Sequence, residues 1–311
     1  MPVDLSTRGT RELNVTVVTM FDKGVSNAAA LMSDVLRLFG EETSDSAENV
    51  YFYPDSDFSL NKVPKGTDMI TFEGVSTFEH RIGNEWYARG ISIDLRDYLN
   101  DKIGRYRQIF RTTGMTVGLH PSRTAEATIA NSETLICYDG KPLIATDHPI
   151  DPKDPSKGTW SNKLVQPAGL TFTTFAAAMA AMAKFPYSDG KSAGAKPTYL
   201  VVGTQYQDIG WDIANNPLPA GGSGGGNPWK GRVELLVIPN LTEDAWFLVD
   251  TRIEGEMPWI LQEREPLQLR ELQTDPQDPK VRESYQLRWL IDGSVVAGVG
   301  EPRRVLKSVK S

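Results

Sequence analysis

Cys137, Asp147 and His148 are the residues of this chain that could do covalent chemistry. A thiol hydrolase needs a thiolate favoured by a nearby imidazole, and a carboxylate that orients the ring. All three lie within residues 137–148. Asp147 and His148 are adjacent, however, and on a strand adjacent side chains point to opposite faces. Asp147-His148-Pro149 reads more simply as a turn in which Asp147 bonds to nearby backbone. A buried thiol beside a structural turn is expected, with no catalytic residue.

A second candidate is the stretch PAGGSGGGNPWKGR, Pro219 to Arg232, which packs five glycines into positions 221–226. A phosphate-cradling loop needs Gly-Lys followed by Ser or Thr, whose hydroxyl holds magnesium. Here Lys230 is followed by Gly231 and Arg232. No helix opens after the run, so a dinucleotide fingerprint is missing too. The run reads as a loop tip between strands. His80, His120 and His148 are scattered without ligand spacing, so neither a metal nor another cofactor is expected. Carboxylate pairs such as Asp94/Asp97 and Glu41/Glu42 sit among 40 acidic side chains and read as solvated surface.

The elements that must carry these residues follow from periodicity. Residues 1–23 read as an arm, polar at first and then β-prone in LNVTVVTMF. Ser26 can cap a helix whose apolar side is Ala28, Leu31, Val35 and Leu38, stopped by Gly40. From Glu41 to Gly90 there is no helical pattern and little core, only weak alternation as in EWYARGISIDL. An extended excursion of roughly 40–50 residues is expected, and excursions of that length are usually functional or held by a partner. A long helix follows from about Arg96, with Leu99, Ile103, Tyr106 and Phe110 at helical spacing, and His120-Pro121 breaks it. Its Arg96, Lys102, Arg105, Arg107 and Arg111 do not form one stripe and read as salt-bridging residues. A second helical piece continues to about Glu133. TTFAAAMAAMAKF is nearly free of charge and predicts a buried helix. TYLVVG predicts a strand and TQYQDIGWDIANN a helix, followed by strands in RVELLVIPN, AWFLVDT and PWILQER. SYQLRWLIDGSVVAGVG predicts a hairpin turning at Asp292-Gly293. The fold class is α+β.

Composition bounds the function. The 311 residues carry 33 basic and 40 acidic side chains, a net charge of −7, which argues against bulk nucleic-acid binding. A single cysteine allows no disulfide within the chain and fits a reducing compartment. The opening MPVDLSTRGTRELN has no long apolar run, and no stretch approaches the roughly 18 apolar residues of a spanning helix. A soluble protein made in the cytoplasm, without membrane contact, is expected.

Residues 83–149 carry a more specific pattern. NEWYARGISIDLRDYLNDKIGRYRQIF and GLHPSRTAEATIANSETLICYDGKPLIATDHP resemble the major head subunit of Mu-like phages and prophages. The likeness rests on the Asn84 to Tyr87 strand, the alternation from Ile91 to Asp101, Leu119-His120-Pro121, Cys137 to Gly140, and Asp147 to Pro149. NPWKGRVELLVIPNLTEDAWFLVDT, LQERE and QTDP occur in the family's order.

The resemblance implies the Hong Kong 97-type capsid fold. Its parts fall on an N-terminal arm and helix at 1–44, an extended loop at 45–92, and a peripheral domain with a spine helix at 93–150. An axial domain at 151–260 and strands at 261–311 that return to the peripheral domain complete it. It implies a major capsid protein forming hexamers and pentamers of an icosahedral phage head around double-stranded DNA. Portal and scaffold proteins are the implied further partners, and the virion capsid, assembled in the bacterial cytoplasm, is the implied location. An encapsulin-like nanocompartment shell and the Cys137/His148 hydrolase are the alternatives. Expected subunit contacts are Tyr51, Phe52, Phe58, Phe72, Phe78, Trp86, Gly224, Gly225 and Trp229.

Overall fold

The computed structural model describes residues 7–29, 34–55, 77–99, 104–217, 226–241, 243–275 and 277–311. Its first half runs α1 (Thr7–Ala29), β1 (Phe39–Thr43), β2 (Glu48–Pro54), β3 (Thr77–Gly83), β4 (Tyr87–Asp94), α2 (Leu95–Leu99), α3 (Arg105–Gly118) and α4 (His120–Ala130). Two short strands, β5 (His148–Pro149) and β6 (Thr159–Trp160), precede β7 (Lys163–Gln166), α5 (Phe172–Met182), β8 (Tyr199–Val202) and α6 (Gln207–Asn215). The rest is β9 (Glu234–Val237), β10 (Ala245–Val249), β11 (Trp259–Gln273), α7 (Pro279–Ser284), β12 (Gln286–Val299) and β13 (Val305–Lys310).

The β-prone arm is a helix. β-Branched residues cost a helix only a few tenths of a kcal/mol each, and tertiary packing overrides that. Val17, Phe21 and Ala28 form its buried stripe. α1 lies against α3 at backbone contact: a Cβ on Gly114 would sit 2.1 Å from the Phe21 carbonyl oxygen, and one on Gly24 would sit 2.1 Å from that of Arg111. Ser26 therefore lies inside α1 and is no cap, and Leu31 lies outside the described residues. Val35 and Leu38 of the helix expected to end at Gly40 stand in a 3-10 turn, Asp34–Leu38.

The helix expected from Arg96 is likewise divided. α2 ends at Leu99, and α3 starts after Gly104, whose left-handed φ of 71° no continuous helix would have. Pro121 stands in the first turn of α4. With no N–H to donate, it interrupts the ladder while Leu119 still donates to Met115 and Arg123 to Leu119, both at 3.1 Å. The break falls where Leu119-His120-Pro121 predicts it.

A four-stranded sheet has the order β1-β11-β12-β4, and a five-stranded sheet the order β7-β13-β10-β8-β9. The five-stranded sheet is covered on both faces. Leu200, Val202, Trp246, Leu248 and Leu306 meet Phe175 and Met182 of α5 and Ile213 of α6. Val201, Leu236, Phe247, Val249 and Val305 meet Val35, Leu38, Ala125, Ile129 and Trp259. The period of two along each strand sends alternate residues to the two cores. A third core joins α1, α3, β4 and β12 through Val17, Phe110, Ile93 and Trp289.

No hairpin turns at Asp292-Gly293. β12 runs straight through, with Asp292 opposite Ala88 and Gly293 opposite Tyr87 of β4. On its other side β11 is irregular between Glu265 and Gln268. A Cβ on Gly293 would meet the Leu267 backbone at 2.8 Å, so the glycine admits a bulge rather than making a turn.

Candidate functional site

β2 and β3 pair in antiparallel register, Tyr51 opposite His80, Phe52 opposite Glu79 and Tyr53 opposite Phe78. Burial alternates along both strands, so the ribbon has two unlike faces. The inner face is fastened in two places. Near Asn49 a closed ring of neutral hydrogen bonds joins the ribbon to β1 and β11. Tyr51 Oη donates to Gln262 (2.8 Å), Gln262 Nε2 to Asn84 (2.6 Å) and Asn84 Nδ2 to Ser44 (2.7 Å). Ser44 Oγ donates to Asn49 (2.8 Å), whose amide reaches back to Tyr51 Oη (3.4 Å). Gln262 is fully buried, and the ring satisfies it.

At the other end the Tyr138 ring stacks on both Tyr53 and Phe78, each at 5.2 Å. Tyr138 Oη donates to the buried Glu301 carboxylate at 3.1 Å, and the Arg303 backbone N–H donates to the same group at 3.1 Å. Burial raises the Glu301 pKa, and the Arg303 charge works against that rise. Burial, then the Glu301 charge, pushes Tyr53 and Tyr138 far above the ordinary phenol range. Burial also lowers His80, opposed by a hydrogen bond to the Val299 backbone and by Asp139. The fastening is built from neutral groups plus one buried ion pair, Arg303–Glu301 at 3.5 Å.

The residues considered for thiol chemistry lie behind this stack and do structural work. Cys137 is buried, its thiol directed to the Gly300 carbonyl at 3.6 Å, and burial, with Asp139 and Glu301 nearby, raises its pKa well above the ordinary thiol value. A nucleophile needs the opposite shift. His148 pairs through Nδ1 with Asp139 at 2.6 Å and stacks on Trp160 at 4.9 Å. Its buried Nε2 meets no hydrogen-bond partner, so no thiol stands where a base could take its proton. Asp147 faces outward to Lys141. Gly140, with φ of 77°, makes the turn that returns Lys141 O to Cys137 N at 2.7 Å. Among the described residues no group of three His, Cys, Asp or Glu could hold a metal ion. No helix among them is long and apolar enough to cross a membrane.

The outer face of the ribbon is open. Phe52 is 58% exposed and Val50 37%, flanked by Glu79, Arg81 and Glu48, with Arg81 paired to Glu48 at 3.0 Å. Trp86 is 53% exposed, with Arg264 at 5.9 Å over its ring. Tyr51 and Phe78 are held by their own chain. Trp229 packs edge-on against Phe175 at 5.4 Å, and Asn227 beside it donates to the Asp212, Ile213 and Asn216 carbonyls at the end of α6. Phe58, Phe72, Gly224 and Gly225 lie outside the described residues. A groove of about 470 Å³ between β4 and α3, lined by Ile91, Ile109, Val117, Leu267 and Ile291, has no simple sequence signal, because its walls come from distant segments. Glu301 and Arg303 were legible only as charges near the C-terminus; nothing in their spacing marks them as buried.

Residues 10–172 and 166–241 match the family described as Mu-like prophage major head subunit gpT. The Mu-like prophage FluMu major head subunit of Haemophilus influenzae is 23% identical over 133 residues, 42% of this chain and 40% of the relative. The chain thus spans about two fifths of that relative's length. The subunit in the procapsid of bacteriophage JBD30 superposes with a TM-score of 0.54 at 18% identity, covering 96% of this chain and 76% of that one. A virus-like particle from Pyrococcus furiosus gives 0.52 at 10% identity, over 94% and 97% of the two chains. At these identities the structural likeness is one of fold, that of Hong Kong 97-type capsid subunits.

Proposed function

The chain belongs to the Mu-like prophage major head subunit gpT family, and from that premise we propose that it assembles into hexamers and pentamers of an icosahedral head enclosing double-stranded DNA. Its work as a phage head protein is self-association as a capsid subunit. The observation that carries the finer reading is the two-faced ribbon: its inner face is closed by its own chain, while Phe52 and Val50 stay in water. Exposed aromatics are typical interface anchors, and a shell supplies many identical neighbours to cover them.

In this reading Phe52 and Trp86 are direct subunit contacts, joined by Phe58 and Phe72 of the loop and by Gly224 and Gly225 of the glycine run. Tyr51, Phe78 and Trp229 act from inside their own chain by fixing the segments that carry those contacts. The arm is 1–44, the extended loop 45–92 and the peripheral domain 93–150, with an axial domain at 151–260 built on the five-stranded sheet. Residues 261–311 serve both parts, since β11 and β12 lie in the four-stranded sheet and β13 in the five-stranded one. The net charge of −7 suits a shell that encloses DNA without gripping it. Portal and scaffold proteins are the further partners, and the bacterial cytoplasm is the place of assembly.

Negative-stain microscopy of the purified protein tests this reading. Closed shells of uniform diameter are expected, with nuclease-protected DNA in particles from infected or induced cells. Particles that carry a cargo protein and never DNA would replace the head with a nanocompartment. A chain that stays monomeric across salt and concentration would end the shell reading.

A further inference from the structure

Asp55 is the last described residue of the chain before 56–76, and both its backbone and its side chain are held. Its carbonyl accepts from the Ser188 backbone N–H at 3.2 Å, and the Ser188 hydroxyl reaches both that carbonyl and the Asp55 carboxylate. The other carboxylate oxygen accepts from Lys153 Nζ at 3.0 Å, and the same ammonium lies 4.8 Å over the Phe78 ring. Ser188 is itself anchored: its carbonyl accepts from Lys157 Nζ at 3.1 Å, and Lys157 also binds Asp151 at 2.7 Å. Asp151 in turn accepts the Lys153 backbone N–H at 2.8 Å. One residue earlier, Arg303 Nη1 reaches the Pro54 carbonyl at 3.5 Å.

The partners of Asp55 come from the 151–157 and 186–192 loops, whereas the ring around Gln262 ties the ribbon to β1 and β11. Asp55 is thus a third anchorage of the ribbon, beside the Gln262 ring and the Tyr138 stack, and its partners come from a different part of the chain. We propose that Asp55, through Ser188 and Lys153, is a positioning residue for assembly: it fixes the direction of the β2–β3 ribbon at the end that bears residues 56–76. The proposal rests on the reading of 45–92 as an intersubunit loop. Pre-setting that direction removes an ordering cost that every subunit would otherwise meet on joining the shell. The Lys153 arm of the clamp adds little to the subunit itself, since Lys153 is about half exposed and pairs with an exposed partner contribute little to stability.

The test compares Asp55→Ala, Ser188→Ala and Asp55→Asn with the parent chain, by thermal unfolding of the dissociated subunit and by yield and diameter of shells. Asp55→Ala and Ser188→Ala should unfold at the parent temperature yet lose about tenfold in closed-shell yield, or give shells of mixed diameter. Asp55→Asn, which keeps an acceptor for Ser188, should recover most of that yield. Parent-like shells from both alanine variants overturn the proposal. So does a fall in shell yield that merely tracks a fall in unfolding temperature, with no recovery in Asp55→Asn. If the parent chain forms no shells under the same conditions, the intersubunit reading fails and not the clamp alone.

Discussion

β10 and β11 each lie between two strands in the order of their sheets, but they are finished differently. β10 is paired on both sides, whereas β1 reaches β11 only from Trp259 to Glu263 and leaves its distal half with β12 alone among the described strands. Every residue of β10, Ala245–Val249, is buried, because helices cover one face of its sheet and a second core covers the other. β11 is buried from Trp259 to Gln262 and then exposes or half-exposes every residue to Gln273. The β2–β3 ribbon shares the second character, with a closed inner face and an open outer one. One part of the subunit is closed by its own chain, and the other leaves apolar side chains such as Phe52 open to solvent. Substitutions in the first should unfold the subunit, and those on the open faces should spare it and impair assembly.

The largest effect should come from Phe247→Ala. Phe247 is fully buried and packs edge-on against Trp259 at 6.3 Å, so its loss should cost about 3–5 kcal/mol in urea unfolding. A loss below about 1 kcal/mol would break the comparison at its stronger end.

Arg304→Ala comes next. Arg304 is 1% exposed and bonds Asp250 at 3.2 Å and Glu256, so its removal takes the guanidinium from the mostly buried Glu256, leaves Asp250 to Arg252, and should cost about 3 kcal/mol. The pH dependence sharpens this. Asp250 is held below its ordinary pKa although burial opposes it, because Arg252 and the Lys196 and Arg252 backbone N–H groups favour the charged form. A depressed carboxylate contributes stability above its unfolded value, about 3.9, and loses it as pH falls through the folded value. Asp250→Asn should therefore be less stable than the parent at pH 7 and lose less on acidification below about pH 4. An acid limb as steep as the parent's would remove Asp250 from the account.

Gly114→Val tests the α1–α3 contact. With the Phe21 carbonyl 2.1 Å from the new Cβ, the helices must separate, and a cost of about 1–3 kcal/mol with faster amide exchange in α1 is expected. The smallest effect on the subunit belongs to Phe52→Ala, within about 0.5 kcal/mol of the parent, since its ring is mostly in water. Light scattering should nevertheless show fewer full-size shells. Full-size shells in parent yield would take Phe52 out of the interface.

The sequence by itself determined the elements whose signal is local. The charge-free run of α5 is a helix, but lack of charge did not make it buried all round. Phe175, Ala178 and Met182 are fully covered, whereas Thr173, Ala177 and Ala180 on its other face are exposed. Pro121 breaks a helix because it lacks an N–H, wherever that helix is packed. The Cys137–Gly140 and Asp147–Pro149 pattern was readable as a family signature. Its physical purpose, a ring for the ribbon to stack on and a buried His148–Asp139 pair, was not. Tertiary structure decided the rest. α1 is a helix because α3 offers glycines to lie against, and Asp292-Gly293 passes straight on because β4 pairs with it at a bulge in β11. The two faces of the β2–β3 ribbon separate only once Tyr138 and Gln262, far along the chain, cover one of them. Alternation in a strand marks two faces; which is buried depends on what distant residues bring to it.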